Sequence, residues 1–307
     1  MKSLITGISG FVGHHLTNYL LKNNHQVFGF DKNKTEINKA KIFQADILNK
    51  EQISSIIEET KPDYIFHLAA ISSVVKSIEM PELTMDINVN GTKNILDACI
   101  KANINPKILI VTSAHVYGIP KQIPIKEDHP LQPNTPYAES RVKQEKLALD
   151  YQKKHNLKII ISRSFNHTGP GRQPEFVCSD FAKQIAEIEK NLREPVINVG
   201  DISVKRDFTD VRDIVKAYLL AVEKCIPGQI YHICSARFYS IKQILDILLS
   251  MTKTKIEIKQ DQNKLRKAEI PILIGDNSKF IKQTGWQPEI PMETTLKDIL
   301  DYWREKI

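Results

Sequence analysis

The segment Gly7-Ile8-Ser9-Gly10-Phe11-Val12-Gly13 stands between a short apolar run, Leu4-Ile5-Thr6, and a stretch from Phe11 to Leu21 with helical periodicity. Glycines there permit a tight strand-to-helix turn and let the backbone approach a pyrophosphate seated on free N–H groups at the helix start. A glycine-rich turn can also be only a turn. Asp31 adds weight: it ends the next apolar run, Gln26 to Asp31, eighteen residues after Gly13. A carboxylate at that place accepts the ribose hydroxyls of an adenosine. Strand, glycine turn, helix and acid in this order point to dinucleotide binding. Asp31 would repel a 2′-phosphate and so favours NAD(H), while the nearby Lys32 and Lys34 leave NADP(H) open.

The rest of the first half keeps the rhythm. Ile42-Phe43, Tyr64 to Leu68, Ile108 to Val111 and Ile159-Ile160-Ile161 read as strands. Helices are expected around Ile53, Ile56 and Ile57 (stopping at Pro62), through Ile87, Asn94, Ile95 and Ala98, and from Tyr137 to Lys154. Near-continuous apolar strands separated by helices imply a parallel sheet covered on both faces, and right-handed connections make it a doubly wound α/β (Rossmann) fold. Beyond residue 165 prolines punctuate longer irregular stretches. One helix is marked by Ser240 as cap before Ile241, Ile244, Leu245 and Leu248, and another is expected from Asp210 to Lys224. The expected division is a cofactor domain over 1–165 and a smaller substrate-binding lid over 166–307, with segments such as 195–233 returning to the sheet.

Charge narrows the partners. The chain of 307 residues carries a net charge of +7, but only nine of its 43 cations are arginine and the lysines are scattered among acids. Such an excess is a solvated surface rather than a nucleic-acid stripe, and it suits a phosphate-bearing small substrate. Cys99, Cys178, Cys225 and Cys234 form no CxxC pair and have no His cluster near them, so a reducing compartment is the simpler reading. Glycines and histidines interrupt the apolar N-terminal stretch and no run reaches the ~18 apolar residues of a membrane span, so a cytoplasmic protein without membrane contact is expected. No HExxH, GxSxG or GxxxxGK[ST] pattern occurs, which removes metal, hydrolase and P-loop readings.

A second constellation lies past the fifth strand. Ser113 follows it directly, Tyr137 opens a helix, and Arg141 stands four residues later on the same helical face. Strand ends on this edge are where a doubly wound sheet binds ligands. A tyrosine exchanging a proton near neutrality needs its phenolate stabilised by about 4 kcal/mol, which a neighbouring cation and the nicotinamide ring can share. Ser113 would hold the substrate carbonyl or alcohol oxygen. Spacing alone equally describes a surface tyrosine beside a surface arginine.

Thr6 to Gly13, His67-Leu68-Ala69-Ala70, Asn88-Val89-Asn90-Gly91-Thr92, Ser113 to Gly118 and Pro136-Tyr137 together resemble the extended short-chain dehydrogenase/reductases that modify nucleotide sugars. Arg163 to Gly171, Asp180 to Ile185, Arg206 to Asp213 and Thr284 to Pro288 look like the GDP-4-keto-6-deoxy-mannose reductases, with several motifs shared by GDP-mannose 4,6-dehydratases. The resemblance covers essentially the whole chain. It implies reduction of the C4 keto group of a GDP-linked 4-keto-6-deoxy sugar. The catalytic residues would be Ser113, Tyr137 and Arg141, with Tyr137 protonating the C4 oxygen as hydride arrives. The cofactor would be held at Gly7, Gly10, Phe11, Val12 and Gly13, by Asp31, Lys32, Asp46 and Ile47, and by Leu68, Ala69, Ala70, Tyr137, Arg141 and Phe165. The nucleotide sugar would meet Ser113, Ala114, His115 and Tyr137, with Asn166, Lys183, Arg206, Arg266 and Glu269 gripping the nucleotide diphosphate. A homodimer through the helices around 83–102 and 137–154 is implied as well.

Three positions depart from the family pattern. Arg141 replaces a lysine; it keeps the charge but is not an equivalent point charge, and Lys143 points to another face. His115 stands where the dehydratases carry a glutamate, which counts against dehydration. Asp31 suits NAD, whereas reductases of this group often use NADPH. Three alternatives follow: a 4-epimerase or 4-dehydrogenase with retained NAD, a 4,6-dehydratase, and a non-catalytic cofactor-binding regulatory protein.

Overall fold

Uninterrupted apolar runs become the inner strands of a parallel sheet. A computed structural model describes residues 1–33, 35–37, 39–265 and 270–307. The first half runs β1 (Lys2–Thr6), α1 (Phe11–Lys22), β2 (Gln26–Asp31), β3 (Lys41–Gln44), α2 (Lys50–Thr60) and β4 (Tyr64–His67). Then come α3 (Val74–Glu79), α4 (Pro81–Met85), α5 (Gly91–Lys101), β5 (Lys107–Ser113), α6 (Pro136–His155) and β6 (Lys158–Ser164). The second half contains β7 (Asn166–Thr168), α7 (Val177–Glu189), β8 (Val196–Val199), β9 (Lys205–Asp210), α8 (Val211–Lys224) and β10 (Ile230–Ile233). It ends with β11 (Phe238–Ser240), α9 (Ile241–Leu249), β12 (Glu257–Gln260), β13 (Ile272–Leu273), α10 (Ser278–Thr284) and α11 (Met292–Lys306).

Seven strands form one sheet in the order β3-β2-β1-β4-β5-β6-β10, every neighbouring pair parallel. Sequence order reverses between β1 and β4, so the crevice at their carboxyl ends is the topological switch point where such sheets take ligands. One face of the sheet is closed by α1 and α8, with Ile5, Leu16, Leu20, Val215 and Tyr218 in its core. The other is closed by α2 and α5, around Leu4, Ile53, Ile57, Ile95 and Ile108. Each such side chain removed from water contributes about 1.5–3 kcal/mol, which makes this two-sided burial the main term fixing the register.

A further core in the second half gathers α7, α9 and α11, with Phe181, Ile185, Ile244, Leu248, Leu296 and Trp303 buried together. Ser240 caps α9 in a reciprocal box with Gln243. A small sheet orders β11-β9-β13, with β7 also on β9. Of the 195–233 segment, only Ile230–Ile233 enters the seven-stranded sheet, beside β6. Val196–Val199 instead pairs with β12, and Lys205–Asp210 with the small sheet. The helix expected through Ile87 and Ala98 is present and runs without interruption from Pro81 to Lys101, widened by a π turn at Asp86–Asn90 that joins α4 to α5. The π turn coincides with the buried Asn88, whose amide bonds the backbone of Ile71 at both ends and Ser140 Oγ at 2.8 Å.

Candidate active site

The glycine turn is shaped to take a diphosphate. Gly7 has φ of +69°, and a side-chain carbon there would meet Ala69 backbone atoms at 2.9 Å. Gly13 lies so close to the turn that an added carbon would fall 2.5 Å from the Ile8 carbonyl oxygen. Gly10 caps α1 with no side-chain hydrogen bond, so the helix's first N–H groups and its positive dipole end are left for an anion. These are features a pyrophosphate-bearing nucleotide needs, and they fit the dinucleotide implied by the fold. At the far end, Asp31 terminates β2 half-buried, with Oδ1 accepting, among the described residues, only the Asn33 N–H, at 3.3 Å. Lys32 pairs instead with Asp46, at 3.3 Å. Ile47 is buried against Gly91, and its carbonyl accepts from Asn94 Nδ2 at 2.9 Å.

A buried polar chain ties the switch point to α6. Thr6 Oγ1 accepts the N–H groups of Leu68 and Ala69, so its own proton goes to His67 Nδ1 at 2.8 Å. His67 is therefore the Nε2–H tautomer, donating to Thr92 Oγ1 at 2.8 Å. Thr92 passes its proton to the Asn88 carbonyl and also accepts from Gln144 Nε2, at 2.8 Å. Gln144 Oε1 then accepts Arg141 Nη1, again at 2.8 Å. Burial, with the Arg141 charge second, pushes His67 down to about 3 and keeps it neutral.

Tyr137 lies in the first turn of α6, after Thr135 as cap and Pro136, and its N–H donates to Ser77 Oγ at 3.2 Å. The Arg141 guanidinium carbon stands 5.2 Å from the Tyr137 ring centre, and the His115 ring is edge-on to that ring at 5.9 Å. Ser113 ends β5 with Oγ accepting the His115 N–H at 3.2 Å, which leaves its own proton for another acceptor. Ala114 is buried in the turn that follows.

The loop after β6 closes over α1. His15 donates to the Pro170 carbonyl at 2.9 Å, and His167 stacks on Phe11 with centroids 6.5 Å apart. Arg172 lies on Phe176 at 3.4 Å and on Phe11 at 4.9 Å. It has no carboxylate partner among the described residues, its Nε is buried without an acceptor there, and burial pushes it down to about 10. Phe165 is only 3% exposed, its ring edge-on to His232 within a core cluster. Asn166 opens β7 opposite Phe208, and Arg206 is buried in β9 with Nη1 on the Lys205 carbonyl. Lys183 pairs with Glu187 at 3.5 Å and rests 5.5 Å from the Trp303 ring, contacts that belong to the lid core. Arg266, Glu269 and Lys34 lie outside the described residues.

Sequence reasoning passed over Arg172, Gln144, Thr92 and His67 as separate actors. His67 ends β4 and Thr92 opens α5, and only the fold brings the two together. Arg172 could have been noticed as one of only nine arginines, two residues beyond Pro170.

Comparison with known proteins follows the same lines. Residues 4–299 match the family GDP-mannose 4,6 dehydratase. The GDP-6-deoxy-D-mannose reductase of Pseudomonas aeruginosa is 32% identical over 305 residues, covering 99% of this chain and 97% of that one. The solved structure of RMD from Pseudomonas aeruginosa complexed with NADPH superposes with a TM-score of 0.89 at 31% identity, covering 100% of this chain and 99% of its own. The UDP-glucuronic acid 4-epimerase of Bacillus cereus, solved with UDP-glucuronic acid and NAD, gives 0.89 at 27% identity with 100% of both chains covered. Matched along nearly its whole length, with the sheet order and glycine cradle of a dinucleotide fold, the chain belongs to the GDP-mannose 4,6-dehydratase family of the extended short-chain dehydrogenase/reductases.

Proposed function

We propose that the protein reduces the C4 keto group of a GDP-linked 4-keto-6-deoxy sugar with hydride from NAD(P)H. The observation that carries this reading is the placement of Ser113 at the carboxyl end of β5 and of Tyr137 beside Arg141 at the start of α6, with Arg141 joined through Gln144, Thr92 and His67 to Thr6 at the glycine cradle. Similarity to a reductase over the full chain supports the substrate class. A nicotinamide nucleotide bound across the cradle would supply the hydride. Ser113 Oγ donates to the C4 oxygen and orients the carbonyl. Tyr137 Oη gives that oxygen its proton, so that the ketone gains one hydride and one proton and leaves as an alcohol. Arg141 stabilises the negative charge then left on Tyr137, and water restores the proton.

Asp31 would accept the adenosine ribose hydroxyls, which favours NAD(H) over NADP(H). Phosphate oxygens of the sugar nucleotide suit Arg206 and Lys183, with Asn166 as a neutral donor and Arg172, which has no carboxylate partner among the described residues, as a further cation. In this reading residues 1–165 hold the cofactor and 166–307 the sugar nucleotide. The four buried free thiols suit a reducing cytoplasm, and no helix among the described residues is long and apolar enough to cross a membrane. A homodimer through 83–102 and 137–154 is proposed too. Exposed Val75, Ile78, Met80 and Leu83 lie in and beside the first of these helices.

Asp31 also favours a second reading, a nucleotide-sugar 4-epimerase or 4-dehydrogenase that retains NAD. His115, in place of a carboxylate, speaks against a 4,6-dehydratase. The test is mass spectrometry of products from GDP-, UDP- and dTDP-linked 4-keto sugars with NADH or NADPH. Net cofactor oxidation with a GDP substrate supports the reductase. Nicotinamide that stays bound through gel filtration, with no net oxidation, supports the epimerase.

A further inference from the structure

Gln144 follows Arg141 by three residues on the same side of α6, is fully buried, and spends both ends of its carboxamide. Oε1 accepts Arg141 Nη1 and Nε2 donates to Thr92 Oγ1, each at 2.8 Å. The amide cannot be reversed. A flipped Gln144 would turn N–H groups on the guanidinium and an acceptor on Thr92, whose only proton is committed to the Asn88 carbonyl. Thr92 is itself fixed by the Nε2–H of a neutral His67, and His67 by Thr6 at the switch point. Gln144 is thus anchored through α5 and β4 to the same backbone that lines the glycine cradle.

At the other end, Arg141 Nη1 is held twice, by Gln144 and by the Val111 carbonyl at 3.3 Å, while its buried Nε has no acceptor among the described residues. A guanidinium is a rigid plane of five donors, so fixing Nη1 limits the directions open to the rest; a lysine ammonium at this position would need no such guide. A buried donor on a charged group is costly unless something accepts it. We propose that Gln144 is a positioning residue that aims the free donors of Arg141 at the hydroxyls of the nicotinamide ribose. This rests on the reading that Tyr137 and Arg141 act beside a bound nicotinamide nucleotide.

The test compares wild type, Gln144→Met, Gln144→Glu, Arg141→Lys and the double variant Arg141→Lys/Gln144→Met. NADH affinity is read by fluorescence titration, kcat and KM by sugar reduction, and folding by thermal melts. Gln144→Met weakens NADH binding about tenfold and lowers kcat, while KM for the nucleotide sugar is unchanged. Gln144→Glu keeps an acceptor for Arg141, and once Thr92 turns its hydroxyl proton from the Asn88 carbonyl to the new carboxylate, NADH affinity stays within about threefold of wild type. In the Arg141→Lys background Gln144→Met changes NADH affinity less than about twofold, because the guanidinium it guides is gone. A folded Gln144→Met protein with wild-type NADH affinity overturns the proposal, as does an equal loss in both backgrounds, which marks simple packing. Should Gln144→Met not fold, a Gln144→Glu protein that is folded yet binds NADH at least about tenfold more weakly than wild type overturns it as well. Wild-type NADH binding and turnover in Arg141→Lys and Tyr137→Phe would instead remove the underlying reading, and this proposal with it.

Discussion

Gly7 and Ala69 touch so closely that a methyl group on the first would stand 2.9 Å from the backbone of the second. The pair joins the turn after β1 to the loop after β4, the two walls of the switch-point crevice. With φ of +69°, Gly7→Ala also places a side chain in the left-handed region. The variant is expected to lose about 1–3 kcal/mol of stability and at least about tenfold in NADH affinity. Urea denaturation and NADH titration measure the two losses; a variant that binds NADH as wild type does would show that the contact does not shape the cradle.

Cofactor choice turns on Asp31. Among the described residues its carboxylate accepts only one backbone N–H, and the adjacent Lys32 is turned to Asp46. The wild-type protein is expected to use NADH at least about tenfold better than NADPH in kcat/KM, and Asp31→Asn to narrow the gap. Steady-state kinetics with both cofactors decides this, and a wild-type preference for NADPH contradicts it.

Acid is expected to destabilise the fold. Burial holds His67 at about 3, His167 at about 4 and His232 at about 3, against an ordinary value of 6.5. Between pH 6.5 and 4 the unfolded chain takes up protons at these sites while the folded chain does not. Stability therefore falls as pH falls, by up to about 1.4 kcal/mol per pH unit for each histidine. Asp207 opposes this: burial raises it to about 6 from 3.8, so its folded form keeps a proton in the same window and gains stability there. Three histidines outweigh one carboxylate. The urea midpoint should be lower at pH 5 than at pH 7; an equal or higher value contradicts the balance.

The six strands of the first half were legible because each is an apolar run between turn or helix signals, and burial on both faces demands such runs. The seventh was not, since Ile230-Tyr231-His232-Ile233 reads no differently from Val196-Ile197-Asn198-Val199. Only the tertiary partner, β6 for one and β12 for the other, separates them. The helix expected through Ile87 hid a π turn because apolar spacing reports which side is buried, not which carbonyl each N–H meets. The placement of Ser113 at a strand end and of Tyr137 and Arg141 on one turn of α6 was legible from spacing. Gln144 was not: it gains meaning only from Thr92 and His67, which lie far from it in sequence. Lys183 stands 3.5 Å from Glu187 and 5.5 Å from the Trp303 ring, neighbours that its motif does not name.

Hydride transfer to C4 with a proton from Tyr137 is the centre of the account, and isotope transfer tests it most directly. NADH carrying deuterium at nicotinamide C4, in the transferred position, is incubated with GDP-4-keto-6-deoxy-mannose, and the product is read by mass spectrometry and NMR. The account predicts one deuterium at sugar C4, stoichiometric cofactor oxidation, and a loss of about 10²–10⁴-fold in rate for Tyr137→Phe with NADH binding retained. An unlabelled product with no net oxidation of NADH, or a Tyr137→Phe protein as fast as wild type, would contradict it.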